Sequence, residues 1–198
     1  MKLFIKSACI AFVLAVVYSL IPFQANCSDI SNEVFRLHIM ANSDSKQDQN
    51  LKLLVRDRVL AYTQNLFENA SSKEEAESLI ADNLTAINNV ASDVITQNGY
   101  DYSVKSQIVK MHFSTRYYDS YTLPSGTYDA LRITIGSGSG HNWWCVMYPS
   151  ICISSAEEGE KKARDVLDNN EYDIIKNEKY EYKFFVVELF ENLCNCFK

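Results

Sequence analysis

The sequence predicts an α+β domain: one strand, two amphipathic helices, an antiparallel meander of strands, and a helix at the C-terminus. Changes of hydrophobic period carry this prediction. Apolar residues alternate over Glu33–Ala41, recur at helical spacing from about residue 45 to 98, and alternate again from Tyr100 onward. Alternation indicates half-buried strands, whereas a 3.6-residue spacing indicates amphipathic helices. We therefore expect helices packed on one face of a sheet, with no internal repeat.

The first 27 residues predict export. Two lysines precede an apolar run from Ala8 to about Phe23, after which the chain turns polar. A charged start, an apolar stretch and a polar exit are typical of a secretory signal. The run has about 16 residues, slightly fewer than the ~20 that span a bilayer comfortably. We expect either a signal peptide, with cleavage after Cys27 as one candidate, or a membrane anchor over residues 5–23; a buried N-terminal helix is the remaining alternative.

The first predicted strand has a core face and a polar face. Apolar side chains at residues 35, 37 and 39 point toward the core, whereas Arg36 and His38 point the other way, as expected of a half-buried strand. The polar pair can tie the end of the strand to the following helix, with Arg36 bonded to a carboxylate such as Asp57. Alternatively, these side chains and Asn42 form a polar contact patch for a partner.

Two helices follow the strand. Ser45 and Asp48 resemble the capping box that begins a helix, and apolar residues at helical spacing continue this helix to about Phe67. A second apolar stripe extends over residues 72–98. Gly99 is a suitable C-terminal cap, so the second helix is predicted to end there.

Strands, a charged segment and a last helix make up the rest of the predicted chain. Alternating residues between 100 and 135 predict the antiparallel meander, which includes a short extended piece before a Pro-Ser-Gly turn. Residues 154–179 are charged and poor in large apolar side chains, which predicts a mobile linker with one short helical piece. The last segment is predicted to be an amphipathic helix that packs through Phe184, Val187 and Phe190.

The predicted organisation has four parts. A signal peptide or N-terminal membrane anchor occupies residues 1–27, and the α+β domain occupies residues 28–153. A charged linker over 154–179 leads to the C-terminal helix over 180–198. A chain of 198 residues is long enough for one sizeable domain with such additions.

Charge and composition argue against nucleic acid and metal as partners. The chain has a net charge of −6 and no run of lysine or arginine, whereas nucleic-acid binding requires a clustered basic face. Its three histidines and six cysteines include no pair with the spacing of a zinc site. We therefore predict no metal and no other cofactor.

The sequence has no recognisable catalytic motif, so we predict no catalytic residue. The glycine-rich run from Gly136 lacks the Lys-Ser/Thr of a phosphate loop, and no Gly-x-Ser-x-Gly elbow occurs. Cys145 is a candidate nucleophile near His141, but four residues along a strand separate them by about 13 Å. A structural role is favoured, because in an exported protein Cys145 and Cys152 could close a disulfide around Pro149. The enzyme alternative is a thiol-dependent or carboxylate hydrolase of the cell envelope.

Two adjacent tryptophans follow the glycine-rich run. On a strand, Trp143 and Trp144 point to opposite faces of the sheet. One of them is therefore expected in the core. The other is either partly covered or a contact residue, since exposed tryptophan is a favoured hot spot at protein interfaces.

Two long stretches of the sequence resemble the hallmarks of the stage II sporulation protein R family. The first is "RLHIMANSDSKQDQNLKLLVRD", Arg36–Asp57, and the second is "GSGSGHNWWCVMYPSIC", Gly136–Cys152. They occur in the order expected of the family, which is more specific than either stretch alone. The resemblance covers roughly residues 33–153, together with the export signal. One departure is Ser150, where the family often has a second proline.

The resemblance implies a secreted signalling protein of endospore-forming bacteria. Members are made in the forespore, are exported toward the space between forespore and mother cell, and are required to activate a membrane-embedded aspartic protease. That protease processes the precursor of the mother-cell sigma-E factor. The resemblance thus implies action by protein–protein contact rather than catalysis, with the protease as partner and the N-terminal segment as the membrane contact. A wall-binding module is a further alternative.

The two motifs also supply the residues that we expect to contact the partner. These are Arg36, His38, Asn42, Ser43, Asp44, Asn142, Trp143 and Trp144. The resemblance marks them as motif positions, and their role in contact rather than in folding is our hypothesis. Cys145 and Cys152, also in the second motif, are the candidates for a disulfide.

Overall fold

A computed structural model describes residues 2–67, 70–118, 121–151 and 156–196. The helices are α1 (Lys2–Glu33), α2 (Lys46–Leu66), α3 (Lys73–Asp82), α4 (Leu84–Gln97), α5 (Ala156–Val166), α6 (Asn169–Lys176) and α7 (Glu181–Cys196), with a 3-10 turn at Glu178–Tyr180. The strands are β1 (Phe35–Met40), β2 (Val104–Phe113), β3 (Arg116–Tyr117), β4 (Thr122–Leu123), β5 (Gly126–Ile135) and β6 (Asn142–Tyr148).

The described chain divides into two compact units. The larger unit lies within residues 32–112 and 127–168 and contains α2 to α5 and most of a four-stranded sheet. The smaller unit lies within residues 1–31, 113–126 and 169–198 and contains most of α1, the β3–β4 pair, α6 and α7. The sequence predicts one domain over 28–153. Residues 113–126 instead belong with the terminal helices, because β4 packs against α6.

The sheet is mixed rather than a simple meander. Its strand order is β2-β5-β1-β6, and β1 pairs parallel with β5 and antiparallel with β6. The predicted combination of helices and sheet is confirmed, but the antiparallel meander is wrong because β1 is inserted between two strands from later in the chain. Residue alternation predicts strands without indicating which strands pair.

An apolar core joins one face of the sheet to α2, α3 and α4. From β1 it receives Phe35, Leu37 and Ile39, all fully buried. The helices contribute apolar side chains at the predicted 3.6-residue spacing, for example Val55 and Ile87. Each fully buried side chain of this size contributes about 1.5–3 kcal/mol through removal from water. The predicted core face of β1 is therefore correct.

The opposite face of β1 is buried as well, so the prediction of a half-buried strand is wrong. Arg36 is fully buried with its guanidinium 4.8 Å from the ring centre of Tyr128, and His38 is 3% exposed. Aromatic side chains cover this face, since Tyr128 lies beside Arg36 and the Trp144 ring stacks on His38. The expected pairing of Arg36 with Asp57 is also wrong, because the exposed Asp57 carboxylate is bonded by Arg56 at 2.6 Å.

The helix starts follow the capping chemistry of the sequence. The Ser45 hydroxyl accepts a hydrogen bond from the backbone N–H of Asp48 at 3.1 Å, as the capping motif predicts. The predicted second helix is two helices, α3 and α4, with a break at Asn83. The Asn83 side chain donates to the carbonyl oxygen of Leu79 at 2.8 Å. This local side-chain bond competes with the regular helix ladder and accounts for the break.

The segment expected to be a charged linker with one short helical piece contains two helices, α5 and α6, separated by residues 167–168. In the larger unit, α5 buries Ala163 and is followed by the buried Leu167. In the smaller unit, α6 buries Tyr172, Ile174 and Ile175. The apolar side chains are few, but they recur at helical spacing and are sufficient to fix short helices. The predicted C-terminal helix is present as α7 up to Cys196, beyond which residues 197–198 lie outside the described chain.

The N-terminal helix α1 is long and apolar enough to cross a membrane, with a mean hydropathy of 2.2 in its most apolar part. Among the described side chains of its first two thirds, the exposed large apolar ones are Leu3, Phe4, Ile5, Ile10, Phe12, Leu14, Val16, Tyr18 and Ile21. Its last third differs, because Phe23, Cys27 and Ile30 are buried at 3%, 1% and 0% exposure. The helix thus combines an apolar exposed segment with a segment that belongs to the fold.

A buried ion pair connects α3 to the sheet at the end where β1 begins. Lys73 donates to the Asp129 carboxylate at 2.6 Å, with side-chain exposures of only 8% and 12%, and Lys110 lies 3.3 Å from the same carboxylate. Burial raises the pKa of Asp129, but hydrogen bonds from Lys73 and Lys110 more than offset it, so its pKa lies below the ordinary value. Asp129 pairs with Phe35 in the sheet, which locates this cluster at the start of β1.

Asp129→Asn is expected to lower the free energy of unfolding by about 3 kcal/mol, because it leaves the buried Lys73 ammonium without its counter-charge. Thermal unfolding followed by tryptophan fluorescence measures this, since both tryptophans lie in the larger unit. The exposed neighbour Glu74 supplies the control, and Glu74→Gln is expected to change stability by less than about 0.5 kcal/mol. Equal stability of the Asp129 variant and wild type would show that the pair contributes nothing.

Candidate functional site

The two sequence motifs meet at one corner of the larger unit because β1 and β6 pair. Leu37 lies opposite Cys145, and His38 lies opposite Trp144. At the end of this pair, Met40 lies opposite Asn142. We call the group formed by residues 42–44, Asp48, Lys52 and 136–142 the motif corner. Residues about 100 positions apart in the chain are thereby brought into contact.

The glycine-rich loop lies across the exit of β1. The backbone N–H of Gly140 donates to the carbonyl oxygen of Ala41 at 2.9 Å, and that of Ser139 donates to the carbonyl oxygen of Asn42 at 3.3 Å. The Ser139 hydroxyl donates to the same carbonyl at 2.7 Å. At the other end of the loop, the N–H of Gly136 donates to the carbonyl oxygen of Ser103 at 2.8 Å.

Close approach explains why the loop is rich in glycine. A Cβ atom on Gly140 would overlap the backbone carbonyl of Ser43, and one on Gly136 would overlap the Asn42 side chain. A Cβ on Gly138 would lie 2.6 Å from the Thr134 methyl group. Gly136 and Gly138 also have φ values of +56° and +63°, which side chains rarely adopt. The glycines therefore allow the loop to pack closely against the first motif.

Beneath the loop, a buried carboxylate holds the exit of β1. Asp48 is 4% exposed and accepts hydrogen bonds from Ser43 Oγ at 2.5 Å and Asn42 Nδ2 at 2.9 Å. The bond from Ser43 is the main reason that the pKa of Asp48 lies below its ordinary value, although burial opposes the shift. Two predicted contact residues, Asn42 and Ser43, are thus half-buried and directed at Asp48.

Lys52 ties α2 to the end of the loop. It is 4% exposed, and its ammonium donates to the carbonyl oxygen of His141 at 2.8 Å and to Gln49 Oε1 at 2.6 Å. Burial lowers the pKa of the Lys52 ammonium from its ordinary value. Because Lys52 bonds the backbone rather than the ring of His141, it fixes the loop and leaves the imidazole free to face outward.

Asp44 and His141 form the exposed edge of the motif corner. The Asp44 carboxylate accepts from the backbone N–H of His141 at 2.6 Å and lies 2.5 Å from Nδ1 of the same residue. The side chains are 57% and 81% exposed. These hydrogen bonds lower the pKa of Asp44. The neighbouring Asn142 is exposed as well, so three polar side chains present hydrogen-bonding groups to solvent from a fixed base.

The two tryptophans lie on opposite faces of the sheet, as predicted. Trp143 packs against the apolar core, and the Arg56 guanidinium lies 4.4 Å from its ring centre. Trp144 stacks on His38 with ring centres 3.8 Å apart and an angle of 11°. Both side chains are half-buried. Trp143 is the core tryptophan that the sequence predicts, and Trp144 covers the buried imidazole.

The eight predicted contact residues therefore have different environments. Asp44 and Asn142 are exposed, Asn42 and Ser43 are half-buried, and Arg36 and His38 are buried. The predicted contact set omits His141, which the sequence suggested only as a histidine near Cys145, and the prediction missed Lys52 and the supporting role of Asp48. His141 lies inside the second motif, and its exposure follows from a loop conformation that the sequence pattern does not encode.

The candidate thiol is unsuited to attack a substrate. Cys145 is 2% exposed and disulfide-bonded, whereas a nucleophilic cysteine needs an accessible thiolate. Cys152, its predicted partner, lies outside the described residues. In the described ranges, no group of three or more His, Cys, Asp or Glu side chains is arranged to hold a metal ion.

Asp48→Asn is expected to lower the free energy of unfolding at pH 7 by about 1–3 kcal/mol, because a buried acceptor for Asn42 and Ser43 is lost. In the wild type, the folded pKa of Asp48 lies below the unfolded one. The stabilisation is therefore present above the unfolded pKa and is lost as pH falls through the folded pKa. The stability difference between the two proteins should shrink from pH 7 to pH 3 in urea unfolding. With exposed Asp101→Asn as control, a constant difference across pH would contradict this role.

Gly140→Ala is expected to displace the loop and to cost about 1–3 kcal/mol of stability, as overpacking usually does. Hydrogen exchange should show faster exchange of the Ser139 and residue-140 amides, which are bonded to residues 42 and 41 in the wild type. Gly99→Ala is the control, because Gly99 has φ +83° but nothing near its Cβ position. That variant should cost roughly 1 kcal/mol without altering exchange in the loop. Unchanged loop exchange in Gly140→Ala would refute the close-packing account.

Comparison with known proteins bears on both motifs. A family model described as "Stage II sporulation protein R" matches residues 31–158. The chain is 33% identical over 185 residues to Stage II sporulation protein R of Bacillus subtilis (strain 168), and the match covers 83% of each protein. No solved structure matches the chain. The family match includes both motifs of the corner and the helices between them, and the chain accordingly belongs to the stage II sporulation protein R family.

Proposed function

We propose that this protein is a signal exported from the forespore that activates a membrane-embedded aspartic protease, which then processes the mother-cell sigma-E precursor. Membership of a sporulation family supports the biological setting. An N-terminal helix apolar enough to enter a membrane supports export. The protein acts by contact with the protease in the space between forespore and mother cell, and it catalyses no reaction of its own.

The observation that carries this proposal is the exposed polar edge of the motif corner. Asp44, His141 and Asn142 project from segments held by hydrogen bonds to the buried residues Asp48 and Lys52. A rigid base reduces the entropy lost when a partner binds. The two motifs form a hydrogen-bonded support and leave Asp44, His141 and Asn142 in solvent. This arrangement is better explained by recognition of a partner than by a contribution to stability alone.

Activation by contact has a thermodynamic requirement. The protein must bind the active conformation or dimer of the protease more tightly than the inactive one. A preference of about 1.4 kcal/mol changes the ratio of active to inactive protease tenfold, and a few well-oriented hydrogen bonds supply this amount. The exposed edge offers both acceptors and donors, since Asp44 is a carboxylate and Asn142 an amide.

A catalytic role for His141 is the second candidate. Its ring is oriented by Asp44 through Nδ1, which is the geometry of a general base held by a carboxylate. Contact is favoured because, in the described part of the chain, no hydroxyl or thiol is hydrogen-bonded to this ring. The thiol-hydrolase alternative is weaker still, since Cys145 is buried and disulfide-bonded. Peptidoglycan binding would be tested by sedimentation of the purified protein with cell walls.

His141→Ala and Asn142→Ala are each expected to reduce precursor processing several-fold, because contact residues at the centre of an interface contribute about 1–2 kcal/mol. The measurement is the processed fraction of the sigma-E precursor when it is produced with the protease and this chain in a non-sporulating host. Trp143→Ala is less informative, because Trp143 packs in the core and its loss would affect folding.

Glu74→Ala is the matched control, since Glu74 is exposed and adjoins Lys73 at the opposite end of β1, about 20 Å away along a six-residue strand. With the Glu74 variant, the processed fraction of the sigma-E precursor should equal that of wild type. Normal processing by the His141 and Asn142 variants would remove the motif corner as the contact site. Loss of processing with unchanged co-purification of the protease, together with turnover of a peptide by the isolated chain, would favour catalysis.

A further inference from the structure

The last third of α1 is part of the folded smaller unit. The Phe23 ring stacks on Tyr180 with ring centres 5.7 Å apart and lies 5.2 Å from the ring of Phe184. Phe184 is 1% exposed, and Cys27 and Ile30 follow Phe23 at helical spacing on the buried side of α1. Cleavage after Cys27 would remove Phe23 from this contact and would cut inside a continuous helix. The geometry therefore favours retention of α1 in the mature protein.

The exposed part of α1 has the length of a membrane span. From Leu3 to Pro22 the helix has 20 residues, which corresponds to about 30 Å, the thickness of the hydrocarbon core of a bilayer. Burial against α7 begins at the next residue, Phe23. The aromatic contact between α1 and α7 consequently lies at the level where the chain leaves the bilayer.

The helix α7 carries a second apolar face, which is exposed. Tyr182, Phe185, Val186 and Leu189 have exposures of 65%, 67%, 37% and 49%. Their spacing of i, i+3, i+4 and i+7 forms one stripe along the helix. This stripe is separate from the face that contains Phe184 and packs on α1. We call it the α7 outer stripe.

We propose that α7 is a membrane-surface helix whose outer stripe enters the interfacial region of the lipid bilayer into which the retained α1 is inserted. Lipid is identified as the occupant because α7 contacts α1 at Phe23, where the membrane-length apolar segment of α1 ends. Tyrosine is typical of the aromatic belts at membrane interfaces, and phenylalanine and leucine are typical of the apolar face of helices that lie in the interface. Lys183, whose ammonium lies 5.3 Å from the Phe23 ring centre, extends from the same level toward the headgroups.

The charges on α7 indicate that its binding to the membrane is apolar rather than electrostatic. The described side chains beside the outer stripe are Glu181, Lys183 and Glu188, so there is no basic cluster to attract anionic lipid. Insertion of the stripe is driven by burial of apolar area, which makes it insensitive to salt and to anionic lipid content. Docking to the surface orients the smaller unit relative to the membrane that holds α1.

The test reconstitutes the full chain in phosphatidylcholine vesicles that contain lipid brominated near the headgroup, which quenches nearby tryptophan. Phe185→Trp adds a reporter in the outer stripe, and the emission of wild type gives the background of Trp143 and Trp144. The added emission is expected to be blue-shifted and largely lost in brominated lipid, with the same result when phosphatidylglycerol or salt is added. Lys176→Trp, at an exposed position of α6, is expected to retain its emission.

Three results would overturn the proposal. Unquenched emission from Phe185→Trp would show that the stripe is in water. Emission that becomes protected only at high protein-to-lipid ratio, with chemical cross-linking between chains, would assign the stripe to a second copy. An intact mass from sporulating cells that lacks residues 1–27 would show that α1 is removed. Because none of these measurements uses protease activation, their outcome is independent of the proposed function.

Discussion

The buried carboxylate of Asp48 is the interaction on which the motif corner depends. It accepts hydrogen bonds from Asn42 and Ser43, while the N–H of the same residue is capped by Ser45. One residue therefore fixes the exit of β1 and the first turn of α2 together. An uncompensated carboxylate at 4% exposure would be costly, so the donors and the carboxylate require each other. This mutual requirement makes the corner rigid.

The rigid exit of β1 in turn permits the close packing of the glycine loop. The loop approaches the carbonyl of Ser43 so closely that only glycine fits at residue 140. Lys52 then fixes the end of the loop through the carbonyl oxygen of His141. As a result, much of the sequence in the two motifs serves to build the corner, and few of its side chains remain for contact. Asp44, His141 and Asn142 face solvent at its edge, together with Ser137 and Ser139, whose hydroxyls are bonded to Asn42.

The smaller unit is held together in part by apolar and aromatic contacts of α1. Its α1 helix is exposed and apolar where it is able to cross a membrane, and it becomes buried where it contacts Tyr180 and Phe184. A segment that resembles an export signal is thus also a packing partner for the C-terminal helix. Burial of aromatic rings at this contact contributes beyond their area through stacked and tilted ring pairs. The apolar N-terminal helix and the fold of the smaller unit are therefore linked through Phe23.

The sequence by itself determined the features whose signals are local. The Ser45 cap, the core face of β1, the opposite faces of Trp143 and Trp144, and the apolar N-terminal helix all follow from side-chain chemistry and spacing within a few residues. Only the tertiary structure decided that β1 lies between β5 and β6 and that Arg36 is buried. These outcomes depend on contacts such as Leu37 with Cys145, between residues far apart in the chain, and local periodicity carries no information about such pairs.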